Sequence, residues 1–255
     1  MKYFKPILLL TVAIFLAEAA FSQVKQPGKG SAVYAQRIIL KYNKHGDSEM
    51  DSHADTLRIP VAGPEYPALK KALSNEKLFL GDDLKTLMAN YADCGCGITN
   101  LDYEVTFENK DVISLKLFYE TEAAYPSSFQ QWLTLNKHTG IAYPLSAEID
   151  QKGRNRLFKM YADTLLTRIA QDKIARTDED SVTYDELKTN INQLESGELF
   201  SKYIFTDKGI VLSIEAILPH VVQDMEPDDD LFIPYTKLKP YILPKAIILK
   251  KQMGP

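Results

Sequence analysis

The spacing of apolar residues alternates between strand and helix periods along the first part of the chain. Residues 32–42 are rich in aromatic and β-branched side chains, which predicts a strand, and residues 56–61 predict its return partner in a hairpin. Apolar residues then recur at helical spacing over 67–73 and 84–91, and Gly95 supplies a helix stop. This part of the sequence therefore predicts a hairpin followed by short helices.

The next part of the chain alternates strictly between apolar and polar residues. Residues 103–107 and 113–119 each show period two, and the polar turn between them predicts an antiparallel hairpin with one buried face. Residues 129–136 alternate as a further strand. The segment 136–140 has the chemistry of a turn, in which Gly140 is free to adopt a positive φ.

The remaining part of the chain repeats both patterns. An amphipathic helix is predicted over 157–169, and the capping box at 183–186 predicts the start of another helix. A hairpin over 203–214 and a short strand at 231–233 follow, and Pro234 opens a helical turn.

Strands and helices are clustered and do not alternate strictly, which favours an α+β fold of antiparallel hairpins packed against amphipathic helices. Two modules of similar size, over 31–150 and 151–250, and one large domain both fit this length.

The N-terminus has the pattern of a secretory signal peptide. Lys2 and Lys5 precede the apolar run 7–17, and small residues flank Phe21 in 20–22, which predicts cleavage after Ser22. Residues 1–22 are therefore predicted to be removed on export to the periplasm or the cell exterior.

A retained membrane anchor is the alternative to a signal peptide. The apolar run is shorter than the ~20 residues that cross a bilayer, and Glu18 interrupts it. Residues 23–30 contain one proline and two glycines and predict a flexible leader.

The charge balance excludes a nucleic-acid-binding class. The 30 basic and 34 acidic residues fall to 28 and 33 when residues 1–22 are removed, and the net charge becomes −5. Charges of both signs are interspersed, so no basic patch is predicted. No sequence feature indicates a cofactor.

The two cysteines, Cys94 and Cys96, could pair with each other in an oxidising compartment, although a bridge across one residue closes a small ring. The pair could be structural or redox-active, and both interpretations remain open. A zinc site would need two further ligands, and none lies nearby in the sequence.

The loop from His45 to Asp55 carries enough acidic residues for a hard cation but lacks the glycine spacing of a calcium loop. It is interpreted as a solvated loop, as is Asp228–Asp230, and no metal site is predicted.

No catalytic residue is predicted from the sequence. The four histidines are His45, His53, His138 and His220, and the first three lie in polar loops or turns. No G-x-S-x-G nucleophile elbow occurs. Two carboxylates at Glu120 and Glu122 are too close in sequence to be assigned as a glycosidase acid and nucleophile.

Aromatic residues around the AYPSSFQQWLTLNKHTG stretch are the best indication of a ligand site. Buried area explains most aromatic side chains, but one or two exposed rings would form a contact patch for a glycan or a protein. The predicted ligand-binding residues are Tyr119, Tyr125, Trp132 and Tyr143, with Tyr125 and Trp132 preferred.

Four segments in order carry a family resemblance: TEAAYPSSFQQWLTLNKHTGIAYPL, LFKMYADTLLTRI, YIFTDKGIVLSIE and FIPYTKLKPYI. Over 101–243 the chain resembles exported bacterial domains of poorly defined function. This group includes the extracellular part of a lysozyme-sensing anti-sigma factor and an accessory domain of peptidoglycan deacetylases. The family often has a glycine-alanine pair followed by histidine or tyrosine before the proline. The chain departs from this pattern, because Glu122, Ala123 and Ala124 precede Tyr125 and Pro126.

The resemblance implies an envelope-facing binding domain without the signalling and catalytic parts of those proteins. The predicted function is non-catalytic recognition, by a monomeric or weakly associating protein, of a muramidase-like protein or a peptidoglycan fragment. A hydrolase or deacetylase with an unrecognised site is the alternative, and a structural envelope component is a third option.

Overall fold

The computed structural model describes residues 30–42, 53–171, 184–193, 202–213 and 230–252. The predicted signal peptide, leader residues 23–29, and the acidic loop residues 43–52 and 228–229 lie outside these residues, as does His220. The predicted capping box at 183–186 also lies outside the description, because Thr183 and the side chains of residues 184–186 are not described.

The N-terminal hairpin forms as the sequence predicts. Strand β1 (Val33–Tyr42) pairs antiparallel with β2 (His53–Ala62), and the register runs without a break from Val33↔Ala62 to Tyr42↔His53. Buried residues of both strands, among them Leu40 and Leu57, form one side of a core.

Three helices follow the hairpin, α1 (Pro67–Ala72), α2 (Asn75–Leu78) and α3 (Leu84–Cys94). Asp83 caps α3, because its Oδ1 accepts the Thr86 backbone N–H at 2.6 Å, and this hydrogen bond lowers the pKa of Asp83. Gly95 ends α3 in the left-handed conformation, at φ 68°.

A three-stranded antiparallel sheet forms the middle of the molecule. Its strands are β3 (Gly97–Glu108), β4 (Val112–Glu122) and β5 (Ser127–Asn136), in the order β3–β4–β5. Asn109 shapes the β3–β4 turn, since its Oδ1 accepts the backbone N–H of both Asp111 and Val112. This middle sheet confirms the predicted strands.

The C-terminal part combines helices with a small third sheet. Its strands β6 (Tyr203–Phe205), β7 (Gly209–Leu212) and β8 (Leu231–Pro234) pair in that order, and all pairings are antiparallel. The elements, in chain order, are a 3₁₀ turn (Leu145–Ala147), α4 (Gln151–Gln171), α5 (Tyr184–Gln193), β6 (Tyr203–Phe205), β7 (Gly209–Leu212), β8 (Leu231–Pro234), α6 (Tyr235–Leu238), a 3₁₀ turn (Lys239–Tyr241) and α7 (Leu249–Gln252). The α+β prediction is confirmed.

Two clusters of buried residues stabilise the fold. One lies between β1, β2, the short helices and one face of the middle sheet, and includes Tyr91, Leu115 and Tyr119. The other joins α4, the third sheet and the C-terminal helices, and includes Phe107 and Val112 of the middle sheet.

The division into modules at residue 150 stays a prediction. In the residues that the structure describes, no helix has the length and apolar character needed to cross a membrane.

A buried carboxylate, Glu148, holds the C-terminal segment in place. Its side chain is 0 % exposed, and its oxygens accept the Tyr143 hydroxyl at 2.6 Å and the backbone N–H groups of Ile247, Ile248 and Leu249 at 2.9–3.2 Å. Glu148 therefore links the chain after β5 to the start of α7, about one hundred residues further on.

Buried tyrosines make the fold sensitive to alkali. Burial raises the pKa of Tyr103 and of Tyr119 to about 12, whereas an unfolded tyrosine titrates near 10. As the pH rises the unfolded chain loses these protons first. We therefore expect full stability below about pH 10 and a loss between about pH 10 and 12, of roughly 1.4 kcal/mol per pH unit for each such tyrosine.

Urea unfolding at pH 9, 10 and 11 measures this loss. The variant Tyr119→Phe is the matched control, because it lacks the titrating group but keeps the ring, and its free energy of unfolding should fall less steeply with pH. Equal slopes for the two proteins would contradict the assignment.

Candidate binding surface

The middle sheet has one face in the core, where Leu115 and Tyr119 lie, and a second face on the opposite side. Strand β6 packs on one end of this second face. Thr106 Oγ1 donates to the Phe205 carbonyl at 2.8 Å, and Thr134 Oγ1 donates to the Tyr203 carbonyl at 3.0 Å. Ser114 Oγ accepts the Phe205 N–H at 3.2 Å. These side chains satisfy the backbone of β6 and hold the third sheet on one half of this face.

The other half of this face carries partly exposed polar and aromatic side chains. Cross-strand partners in an antiparallel sheet share a face. Lys116 on β4 pairs with Glu104 and Trp132, and its neighbour Phe118 pairs with Asp102 and Gln130. We call the part of the sheet formed by Asp102, Glu104, Lys116, Phe118, Gln130 and Trp132 the open face.

A groove of about 380 Å³ runs between the open face and the third sheet. Its walls combine aliphatic and aromatic groups with side chains of both charges. The residues that line it are Glu104, Val105, Thr106, Lys116, Ile204, Thr206, Asp207, Lys208, Val211, Asp230 and Phe232. Grooves of 300–1,000 Å³ are the usual size for small-molecule ligands.

Lys116 is held in position in the wall of the groove. Its Nζ lies 3.5 Å from Asp230 Oδ2, 5.1 Å from the centre of the Trp132 ring and 5.5 Å from the centre of the Phe118 ring. The side chain is only 18 % exposed. An ammonium group fixed between two rings and a carboxylate can donate to a ligand oxygen without first losing much conformational freedom.

Trp132 offers an aromatic surface next to Lys116. The ring is half-buried, and its Nε1 donates to Gln130 Oε1 at 3.3 Å. This hydrogen bond fixes the orientation of the indole on the open face. An indole beside polar groups can stack against the apolar face of a sugar while the polar groups bind its hydroxyls.

Tyr125 lies apart from Trp132, at the tip of the β4–β5 hairpin. Its side chain is 81 % exposed, and Pro126 follows it just before β5 begins. Seven residue steps separate Tyr125 from Trp132, which corresponds to roughly 20 Å along an extended strand. The structure therefore exposes both preferred residues, but does not bring them into one patch.

Of the remaining two predicted site residues, Tyr119 is buried and Tyr143 is half-buried against the second cluster. Tyr119 is 1 % exposed and stacks on Phe129, with ring centres 4.7 Å apart. The Tyr143 hydroxyl donates to Glu148, and its pKa is raised by burial and by this carboxylate. Both tyrosines stabilise the fold and neither faces the groove, because they lie on the core side of their segments.

The described histidines do not form a catalytic arrangement. His138 Nε2 lies 3.6 Å from Asp111 Oδ1, but the His138 side chain is 58 % exposed in the turn after β5. The His53 ring lies near the rings of Tyr42 and Tyr91. Among the described residues, no group of three or more acidic, histidine or cysteine side chains is arranged to hold a metal.

The cysteine pair is oxidised in the structure. Cys94 and Cys96 form a disulfide across the left-handed Gly95 at the end of α3. The structural interpretation of the pair fits its position in the link between α3 and β3.

Sequence reasoning missed most of the groove. Glu104 and Lys116 occupy the polar positions of two correctly predicted strands, and that alternation was the available signal. Asp230 and Phe232 line the groove with them but lie just before and within β8, more than one hundred residues later. A second cavity of about 420 Å³ lies next to this groove and shares Asp207 and Lys208 with it.

Comparisons with known proteins reach the level of the fold. No protein-family model matches the chain, and no curated protein matches it. A crystal structure of a DUF3298 family protein from Pseudomonas aeruginosa PAO1 has a TM-score of 0.53 at 14 % identity, over 86 % of this chain and 98 % of that one. A DUF3298 family member from Bacteroides fragilis reaches a TM-score of 0.49 at 14 % identity, over 87 % and 96 % of the two chains.

The Pseudomonas aeruginosa structure confirms the expected resemblance at its coarse level, which is a fold found in a family of unknown function. The link to anti-sigma factors and to peptidoglycan deacetylases stays a prediction. The chain has the fold of the Pseudomonas aeruginosa DUF3298 family protein.

Proposed function

We propose that the protein is exported to the cell envelope and binds a peptidoglycan fragment in the groove beside the open face, without catalysing a reaction. The N-terminal sequence pattern, which predicts a secretory signal peptide, supports the location. The groove supports the binding role, because its size suits a small ligand and its wall carries the fixed Lys116 beside carboxylates. The half-buried Trp132 lies next to Lys116 on the open face, at the margin of the groove. This arrangement of Lys116 and Trp132 is the observation that carries the proposal.

The chemistry of the groove suits a sugar linked to a short peptide. Trp132 can stack on a sugar ring, and Gln130 beside it offers an amide for hydroxyl groups. Lys116 and Lys208 suit the carboxylates of a peptidoglycan stem peptide, and Glu104 suits its amino group. Charges of both signs therefore match a ligand that carries both.

A muramidase-like protein is the second candidate ligand, and the exposure of Tyr125 favours it. A tyrosine that is 81 % exposed at a hairpin tip resembles the aromatic anchors of protein interfaces. The hydrolase and deacetylase alternative has less support, because neither described histidine lines the groove and Asp230 is paired with Lys116.

Sedimentation with purified sacculi tests the proposal. The mature chain should pellet with the sacculi, and Trp132→Ala should lower the affinity about tenfold, since a central aromatic contact contributes more than ~1 kcal/mol. The matched control is Tyr34→Ala, which removes a half-exposed aromatic ring from β1, away from the groove. This control should bind like the wild type.

Two results separate the alternatives. Co-elution of the mature chain with a muramidase, lost in Tyr125→Ala and kept in Trp132→Ala, would replace the groove with the hairpin tip as the site. No pelleting of the folded wild-type protein at low salt, together with no co-elution, would remove both ligands.

A further inference from the structure

The outer edge of β5 is an unprotected strand edge. Backbone bonds show which residues face outward: the Thr134 carbonyl accepts the Tyr143 N–H, and the Asn136 N–H donates to the Ile141 carbonyl, both on the side away from β4. The β4–β5 register runs without a bulge. Because backbone groups alternate along a strand, Ser128, Gln130 and Trp132 also point their N–H and C=O groups outward.

These outward backbone groups are open for pairing. The turn after β5 covers the edge only from Thr134 onward. In the part of the chain that the structure describes, the outward N–H and C=O groups of Ser128, Gln130 and Trp132 have no partner. Seven consecutive residues, 127–133, therefore form an edge that a further strand can extend.

The edge of β5 differs in composition from the edges of β1 and β8. Strand β5 contains no charged residue between Ser127 and Asn136. Strand β1 carries exposed Arg37 and Lys41, and β8 is short and ends in Pro234. Charges, proline and short length are the usual protection of an edge against pairing. The β5 edge lacks these features over residues 127–133.

We propose that β5 pairs antiparallel with β5 of a second copy of this chain, around a two-fold axis at Gln130. In this register Gln130 faces its own symmetry mate, and Ser128 faces Trp132 of the partner subunit. Each of the three outward pairs forms two backbone hydrogen bonds. The absence of charge removes like-charge repulsion across the axis, and a small serine lies opposite each indole.

The dimer leaves the groove accessible. Side chains stand perpendicular to the sheet, so pairing at the edge does not cover the open face. The two middle sheets become one sheet of six strands, with both open faces on the same side. A seven-residue ladder is shorter than a standard interface of about 20 residues per subunit. We therefore expect a dimer that dissociates on dilution.

Sedimentation velocity of the mature chain tests this proposal independently of any ligand. The dimer fraction should rise between about 10 µM and 1 mM. The variant Gln130→Pro removes an outward N–H that does not bond to β4, so it should stay monomeric over this range. The variant Gln130→Lys places two like charges at the axis and should also lower the dimer fraction. The matched control Gln36→Lys adds the same charge at an exposed position of β1 and should dimerise like the wild type.

A short thiol cross-linker checks the register. Gln130→Cys should give covalent dimers at 1 mM, whereas Ser128→Cys should give far fewer, because residue 128 faces residue 132 of the second copy. A wild-type protein that is monomeric throughout would overturn the proposal. A dimer that forms equally well in Gln130→Pro and Gln130→Lys would also overturn it.

Discussion

Replacing Glu148 by alanine is expected to remove a large part of the stability of the fold. Four donors lose their acceptor: the Tyr143 hydroxyl and the N–H groups of Ile247, Ile248 and Leu249. An unsatisfied buried polar group costs about 1–3 kcal/mol. The total loss of at least about 4 kcal/mol is comparable to the ~5–15 kcal/mol that stabilises a typical domain.

Urea unfolding of the mature chain measures this loss. Glu76→Ala is the matched control, because Glu76 is exposed on α2, and it should change the free energy of unfolding by less than about 0.5 kcal/mol. Tyr143→Phe removes one of the four donors and should cost about 1–2 kcal/mol. If Glu148→Ala does not fold, Glu148→Gln keeps the shape and one acceptor oxygen and should fold with reduced stability. A Glu148→Ala protein as stable as Glu76→Ala would contradict the role of this carboxylate.

Replacing Gly140 by alanine is expected to have the next largest effect. Gly140 has φ +67°, and a Cβ there would lie 2.3 Å from the Ala68 carbonyl oxygen of α1. The positive φ costs an alanine about 1 kcal/mol, and the clash with backbone adds about 1–3 kcal/mol. The turn after β5 would therefore move away from α1.

Gly81→Ala separates the two causes. Gly81 has φ +109°, outside the left-handed region that alanine adopts, but a Cβ there has no neighbour within 4 Å. This variant should therefore show a conformational cost at least as large as that at Gly140, without the clash. Thermal unfolding should place Gly140→Ala several degrees below Gly81→Ala. A Gly140→Ala protein that melts at the wild-type temperature would show that the turn is not packed against α1 as described.

The local elements of this fold could be predicted from the sequence because their signals are local. Alternation marked the strands of the middle sheet, and Gly140 was correctly expected at positive φ. The stretch from Ala124 to Gly140 combines three local structures: a hairpin tip, an edge strand and a turn that packs on α1. No single functional role covers the whole stretch.

The groove and the buried carboxylate could not be predicted, because they depend on contacts between distant segments. Glu148 lies in a short polar segment, and nothing near it in sequence indicates partners one hundred residues later. Trp132 and Tyr119 are both aromatic residues on adjacent strands, but only the register decides that one lies on the open face and the other in the core.

An NMR titration of the isotope-labelled mature chain with soluble peptidoglycan fragments locates the ligand directly. If the groove is the binding site, the largest shift changes will fall on the Trp132 indole and on the amides of Glu104, Lys116 and Phe232. Shift changes confined to the hairpin tip around Tyr125, or none at millimolar fragment, would contradict binding in the groove.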